Sequence, residues 1–241
     1  MIVPIAIKIF SLVFIRNPCL MRNRKMIIFD LDGTLYGFKG GSFKQSGVYK
    51  KVLLNTEEYI VDKLQKNKIE AKSILKEILN EYGEKISIGL EEKFKIDRYD
   101  YFNTAWDIEA KRYIRHDPRL RRILVKLKKD FDLIVISDAP MIWIKRVLRE
   151  LKIENLFKKI FSGEGNIRKE FGNAFEEIVK VLKIEPQFCI VFGDQEETDI
   201  IPAKKVGMRT VLVNKKTKSS IADYTIKSIQ EIEKAIKYLN F

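Results

Sequence analysis

Two carboxylates, Asp30 and Asp32, follow the short apolar run Met26 to Phe29 and are separated by one residue. Such a run is typical of a strand buried on both faces, and side chains two residues apart start on the same side of a strand. Gly33 supplies a tight turn directly afterwards. This placement suits a carboxylate that attacks phosphorus beside a carboxylic acid that protonates the leaving oxygen. Surface turns and calcium loops use the same Asp-x-Asp-Gly pattern, so these residues alone leave both interpretations open.

Further polar residues lie at the predicted ends of later strands or near the predicted starts of helices. They are Ser137 after the run 133–136, Lys169 before an amphipathic helix, Asp194 after the run 188–193, and Asp199 at a helix start. In an open parallel sheet ligands bind beyond the carboxyl ends of the strands, so these side chains are expected to converge. Four carboxylates crowded together repel one another, which favours a divalent cation, and Mg²⁺ suits a phosphate partner.

In this order the motifs resemble the haloacid dehalogenase (HAD) superfamily of phosphohydrolases. The resemblance runs from residue 26 to about residue 236 and rests on four motifs. They are Asp30-Leu31-Asp32-Gly33-Thr34; Leu133 to Ser137; Lys169 with Phe175; and Val191-Phe192-Gly193-Asp194, followed by Asp199, Ala203, Gly207, Met208 and Thr210.

The resemblance implies a role for each of six side chains. Asp30 would attack phosphorus and form an aspartyl-phosphate, while Asp32 would protonate the leaving alcohol and then activate water. Ser137 and Lys169 would bind the phosphoryl oxygens. The Mg²⁺ ligands would be Asp30, the backbone carbonyl of Asp32, Asp194, and Asp199 directly or through water. Taken singly, Ser137 is also typical of a helix N-cap and Lys169 of a solvated lysine.

Three positions refine the comparison with the family. Asp32 argues against a carbon–halogen substrate, because dehalogenase members of the superfamily lack this second aspartate. Asp138 stands where members often have Asn, and Glu170 stands where they usually have Pro. Asp138 adds negative charge near a phosphate site.

Composition narrows the classes of function. The net charge is +13, but the 46 basic residues are scattered among acids, so no specific nucleic-acid partner is expected. His116 is the only histidine, which argues against histidine-based triads and multi-histidine zinc sites. Cys19 and Cys189 give no disulfide framework, and Cys189 is expected to be a buried thiol in a reducing cytosol.

Short apolar runs alternate with segments of helical periodicity from residue 26 onward. The predicted strands are 26–30, 132–137, 159–161, 188–192, 210–213 and 223–226. This pattern predicts an α/β protein with a Rossmann-like parallel sheet, in which 26–37 and 118–241 form the HAD-like catalytic core. Residues 38–117 contain helical patterns without a convincing strand, and at about 80 residues they are too long for a plain loop. In HAD-like proteins this is the position of the helical C1 cap.

The first 25 residues are expected to be an extension, from an upstream start codon or poorly packed chain. The apolar stretch has no cationic start, is interrupted by Lys8, and falls short of the ~20 residues that span a bilayer. We therefore expect no membrane partner and a cytoplasmic location, and we make no prediction of oligomeric state.

The function predicted is Mg²⁺-dependent hydrolysis of a small phosphomonoester, a nucleotide or sugar phosphate, through an aspartyl-phosphate. Weak similarity to pyrimidine 5′-nucleotidase-like members comes from Tyr36, Glu81-Tyr82-Gly83 and Ile88-Gly89-Leu90. Four aromatic residues, Tyr99, Tyr101, Phe102 and Trp106, either stack a nucleobase or form the cap's own core, and the second interpretation is favoured. The alternatives are a phosphomutase of the same fold and a catalytically silent HAD-like binding protein.

Overall fold

The computed structural model describes residues 24–165, 167–214 and 216–241. Almost all of the predicted extension at residues 1–25 lies outside this part of the chain. No helix within the described residues is both long and apolar enough to cross a bilayer.

Six parallel strands form one sheet in the order β3-β2-β1-β4-β5-β6. Their bounds are β1 Met26–Asp30, β2 Asp132–Ser137, β3 Lys159–Ser162, β4 Cys189–Gly193, β5 Arg209–Val213 and β6 Tyr224–Ile226. Each end lies within one residue of the prediction, and the predicted α/β fold is confirmed. The strand β1 lies between β2 and β4, and all five of its residues are buried, as its continuous apolar run predicted.

Helices cover both faces of the sheet. Their bounds are α5 Pro118–Leu127, α6 Met141–Glu150, α7 Ala174–Leu182, α8 Ile201–Val206 and α9 Ile232–Tyr238. Alternate side chains of β1 enter different apolar clusters: Phe29 packs with α5, α6 and α9, whereas Ile28 packs with α7 and α8. Cys189 is buried in the second cluster. This packing on both faces fixes the carboxyl edge of the sheet, where the predicted site lies.

Four helices lie between β1 and α5, which leads into β2. They are α1 Gly47–Leu64, α2 Lys68–Tyr82, α3 Ile86–Phe94 and α4 Arg98–Ala105, and there is no strand among residues 38–117. Side-chain caps begin three of them: Ser46 at α1, Asn67 at α2 and Asp97 at α4. The four helices share their own apolar cluster, distinct from the two on the sheet. Nothing in the structure fixes a boundary at 38 or 117, so the predicted cap limits stay a prediction.

Two of the four predicted aromatic residues form part of that cluster. Tyr101 and Phe102 are buried, and the Tyr101 hydroxyl lies 3.1 Å from the Thr56 hydroxyl. Trp106 is half-buried and packs against both this cluster and the first cluster on the sheet, with its ring centroid 6.3 Å from that of Trp143. Tyr99 is 55% exposed. The fold therefore uses Tyr101 and Phe102 as core residues rather than as free stacking platforms.

Candidate active site

Three neighbouring strands end at the same edge of the sheet and carry the first three side chains of the site. Asp30 ends β1 and pairs with Ile136 of β2, so Ser137 follows on the adjacent strand. Phe29 pairs with Phe192 of β4, and Asp194 comes two residues later. The predicted convergence at the carboxyl edge is therefore present in the backbone register itself.

Lys169 joins two carboxylates from different parts of the chain. Its Nζ atom lies 2.7 Å from Asp30 Oδ1 and 2.7 Å from Asp199 Oδ1. All three side chains are buried. The ammonium group thus lies between two acids inside the protein, and the interpretation of Lys169 as a solvated lysine is wrong.

Asp138 positions Lys169 through the backbone. Its Oδ1 accepts a hydrogen bond of 2.8 Å from the Lys169 amide, at the start of the short 3₁₀ turn Lys169–Phe171. An Asn oxygen could accept the same hydrogen bond, so what the carboxylate adds is its negative charge, which helps to raise the pKa of Lys169.

The turns after β1 and β4 bring Asp194 and Asp199 to the same place. Gly33 has a φ of +97°, and a Cβ at this position would overlap the Asp194 carboxylate. Asp199 lies in a single π-helical turn, Glu196–Ile200, and its Oδ2 accepts from the Gln195 amide at 3.1 Å. Gly33 therefore allows the first carboxylate loop to approach the second closely.

Two observations show that the acidic side chains fit a divalent cation. Carboxylate oxygens of Asp30, Asp194 and Asp199 lie within 4.8 Å of one another. Asp30 Oδ2 and Asp194 Oδ1 are buried and have no hydrogen-bond partner within the described part of the chain. Buried oxygens without donors are costly unless a cation takes them, and oxygen ligands are those that Mg²⁺ prefers.

The pKa values reflect the same excess of negative charge. Burial raises the pKa of Asp194 to about 7, and the charge of Asp199 adds to this shift. Burial also raises the pKa of Asp30 well above its usual range, against the opposing effect of Lys169. Burial by itself would lower the pKa of Lys169, but Asp199 and Asp30 hold it well above its ordinary value. One ammonium group does not balance three carboxylates, and a bound cation would.

Asp32 has a different environment from Asp30. The Tyr36 hydroxyl and the Trp143 indole both donate to Asp32 Oδ1, the indole at 3.0 Å. The Ser137 hydroxyl donates to Oδ2 at 3.1 Å. Three hydrogen-bond donors therefore hold this carboxylate, and its negative charge also contributes to the raised pKa of Asp194.

Ser137 is tied to the site rather than to a helix end. Its Oγ accepts from the Ala139 amide at 3.1 Å, while the helix α6 has Pro140 as its N-cap without a side-chain hydrogen bond. The interpretation of Ser137 as a helix N-cap is therefore wrong. Its hydroxyl lies between Asp32 and the turn after β2.

Sequence reasoning missed Trp143 entirely and noted Tyr36 only as a point of family similarity. Tyr36 lies four residues after Asp32, and the Gly33 amide donates to its carbonyl at 3.0 Å, which folds the chain back. Trp143 belongs to the buried stripe of α6. No local signal in the sequence indicates that its indole nitrogen reaches an acid 111 residues away.

Comparisons with known proteins give a consistent result. A family model described as haloacid dehalogenase-like hydrolase matches residues 24–207. A glyceraldehyde 3-phosphate phosphatase of Pyrococcus furiosus is 27% identical over 203 residues, which cover 79% of this chain and 81% of that protein. An N-acylneuraminate-9-phosphatase of Rattus norvegicus is 23% identical and is covered over 92% of its length by 86% of this chain.

Solved structures share the fold. A HAD phosphatase from Thermococcus onnurineus superposes with a TM-score of 0.60 at 22% identity, covering 88% of this chain and 97% of that one. At such identity the likeness concerns the fold.

Proposed function

The chain belongs to the haloacid dehalogenase-like hydrolase family, and we propose that this phosphatase hydrolyses a small phosphomonoester in two steps through an aspartyl-phosphate at Asp30. One observation carries the proposal. Two carboxylates one residue apart lie at the carboxyl edge of the sheet, one beside a buried lysine and the other held by hydrogen-bond donors. These are the environments that a nucleophile and a proton-transfer group need.

The first step transfers the phosphoryl group to the protein. A carboxylate oxygen of Asp30 forms a bond to phosphorus while the bond from phosphorus to the leaving oxygen breaks. Asp32 gives its proton to that oxygen, so the product leaves as a neutral alcohol. Negative charge on the phosphoryl oxygens is offset by Lys169 and by the Ser137 hydroxyl.

The second step restores Asp30. Asp32, now ionised, takes a proton from a water molecule as the water oxygen bonds to phosphorus. The bond between phosphorus and the Asp30 oxygen then breaks, and inorganic phosphate is released. Asp32 ends the cycle protonated, as it began.

The carboxylates of Asp30 and Asp194, the backbone carbonyl of Asp32, and Asp199 would hold the Mg²⁺ ion. When bound, Mg²⁺ supplies positive charge that neutralises the phosphoryl oxygens and the acidic side chains around them. The buried oxygens of Asp30 and Asp194, for which the described residues offer no hydrogen-bond donor, support this assignment.

We propose that the four helices α1 to α4 act as a cap over the site. Arg98 of α4 supports this, since its Nη2 atom contacts the Gly163 carbonyl in the loop after β3 at 3.4 Å. Closure of such a cap over a small substrate would exclude bulk water from the aspartyl-phosphate.

We favour a sugar or triose phosphate over a nucleotide as the substrate. We also propose that the protein acts in the cytoplasm. The named relatives are phosphatases of glyceraldehyde 3-phosphate and of an N-acylneuraminate 9-phosphate. Tyr101 and Phe102, which binding of a nucleobase by stacking would require to be accessible, are buried in the helical cluster. These observations support a small polar leaving group.

Phosphate release from a panel of triose, sugar and nucleoside monophosphates, with and without Mg²⁺, tests the proposal. We expect Mg²⁺-dependent release, fastest from the sugar and triose phosphates. The matched control is Asp130→Asn, because Asp130 is an exposed aspartate that is not part of the site. Isomerisation of a sugar phosphate without phosphate release would instead indicate a mutase, and no reaction with any compound would support the silent binding protein.

A further inference from the structure

Within the proposed function, on which this inference rests, we infer that Tyr36 and Trp143 are positioning residues for Asp32. They hold Oδ1 of the carboxylate, so Oδ2 is the oxygen that carries the proton between the leaving group and water. Neither residue touches the reacting atoms in this account. Both act through the acid that does.

The two donors converge on one oxygen from separate elements. The Tyr36 hydroxyl comes from the turn after β1, and the Trp143 indole comes from the first turn of α6, at 3.0 Å. Both rings are held in place by packing. Trp143 is fully buried, and the Tyr36 ring packs edge-on against Phe38 at 5.3 Å between centroids.

The chemistry of the donors decides which oxygen is protonated. An indole N–H only donates, so the Asp32 oxygen that faces it has to be an acceptor. The Tyr36 hydroxyl donates to the same oxygen. A proton on Oδ1 would compete with two donors, whereas a proton on Oδ2 would compete with one, so Oδ2 is the favoured site.

Oδ2 has the contact that a substrate can replace. Its partner is the Ser137 hydroxyl at 3.1 Å, and Ser137 also accepts from the Ala139 amide. When a phosphoryl oxygen takes the Ser137 hydroxyl as a donor, Oδ2 is released on the side of the bound phosphate. Substrate binding and the freeing of the acid are thereby coupled through one hydroxyl.

The leaving group of the substrate provides the test. We compare kcat/KM, which reports transfer to Asp30, for glycerol phosphate and p-nitrophenyl phosphate. An alkoxide needs a proton to leave, and p-nitrophenolate does not. In Tyr36→Phe we expect kcat/KM to fall about tenfold for glycerol phosphate and less than about twofold for p-nitrophenyl phosphate.

Further variants separate positioning from packing. Tyr113→Phe removes a hydroxyl from the same core cluster, and Tyr113 is not among the hydrogen-bond donors to Asp32, so both rates should stay unchanged. Trp143→Phe should show the same dependence on the leaving group as Tyr36→Phe. Adding Tyr36→Phe to Asp32→Asn should cause no further loss, because the acid it positions is already gone.

Two results would overturn the inference while leaving the proposed function intact. One is an equal loss for both substrates in Tyr36→Phe and Trp143→Phe, and the other is no loss in either variant. If the parent enzyme releases no phosphate from either compound, the proposed function fails and this inference fails with it.

Discussion

Asp30 and Asp32 are two residues apart and yet have opposite surroundings. Asp30 is buried with two further carboxylates and one lysine, and one of its oxygens has no hydrogen-bond donor among the residues that the structure describes. Asp32 is partly exposed and accepts three hydrogen bonds. Charge dominates the first environment and hydrogen bonding the second. Two aspartate side chains can therefore serve different chemical roles because their surroundings differ.

The largest effect is expected from Asp30→Asn. Without a carboxylate nucleophile no aspartyl-phosphate can form, so kcat should fall by at least ~10⁴-fold. The measurement is steady-state phosphate release at saturating Mg²⁺, with Asp130→Asn as the control. Near-normal turnover in Asp30→Asn would contradict the assignment of the nucleophile.

The loss of activity in Asp32→Asn should depend on the leaving group of the substrate, whereas the loss in Asp30→Asn should not. Loss of a general acid costs ~10²–10⁴-fold. We expect a loss in this range in kcat/KM for an alkyl phosphate and a much smaller one for p-nitrophenyl phosphate. Equal losses for the two substrates would argue that Asp32 serves only as a structural group.

Lys169→Met tests the charge balance around Asp30. Loss of a preorganised cation at the phosphoryl oxygens should reduce kcat by ~10²–10³-fold. Leaving two buried carboxylates without their partner should also lower the free energy of unfolding by ~3–5 kcal/mol. Thermal unfolding measures this change, and Lys180→Met, which breaks an exposed pair with Glu177, should leave it nearly unchanged. A stability loss no larger than that of Lys180→Met would contradict the buried pairing.

The smallest effect is a pH dependence of stability without metal. The pKa of Asp194 is raised from 3.8 to about 7 on folding, so between these values the folded state binds the extra proton. The free energy of unfolding should therefore fall as pH rises from about 4 to about 7, and the raised pKa of Asp30 acts in the same direction. Mg²⁺ should restore stability above pH 7.

Asp194→Asn is the matching variant for this pH dependence, because it removes a carboxylate that its neighbours repel. It should flatten the pH profile and raise the melting temperature of the metal-free protein at pH 8, while weakening the effect of Mg²⁺. A profile as steep in Asp194→Asn as in the parent would assign the titration to another group.

The sequence was most informative where local rules decide the outcome. Membership of the HAD-like family and the phosphatase class are confirmed. A continuous apolar run such as β1 has to be a buried parallel strand, and the carboxyl ends of such strands meet, which brought Asp30, Ser137 and Asp194 together. The roles of these residues, the Mg²⁺ ion and the nucleotidase-like branch remain predictions.

Local sequence patterns do not predict contacts between residues that are far apart in the chain. The indole of Trp143 and the hydroxyl of Tyr36 donate to the same oxygen of Asp32 only because α6 packs against the face of the sheet that carries Phe29. The burial of Lys169 likewise depends on a turn in which the Lys169 backbone amide donates a hydrogen bond to the Asp138 carboxylate. Each of these depends on tertiary packing, and the spacing of residues in the sequence does not encode it.

A burst experiment tests most directly the separate roles of Asp30 as nucleophile and Asp32 as general acid and base. In Asp32→Asn, p-nitrophenyl phosphate should still phosphorylate Asp30, but hydrolysis should stall because no base activates water. We predict a burst of about one equivalent of p-nitrophenolate per enzyme, followed by slow turnover, with the phosphoryl group found on the peptide that contains Asp30. No burst in Asp32→Asn, or a phosphoryl group on another residue, would contradict the account.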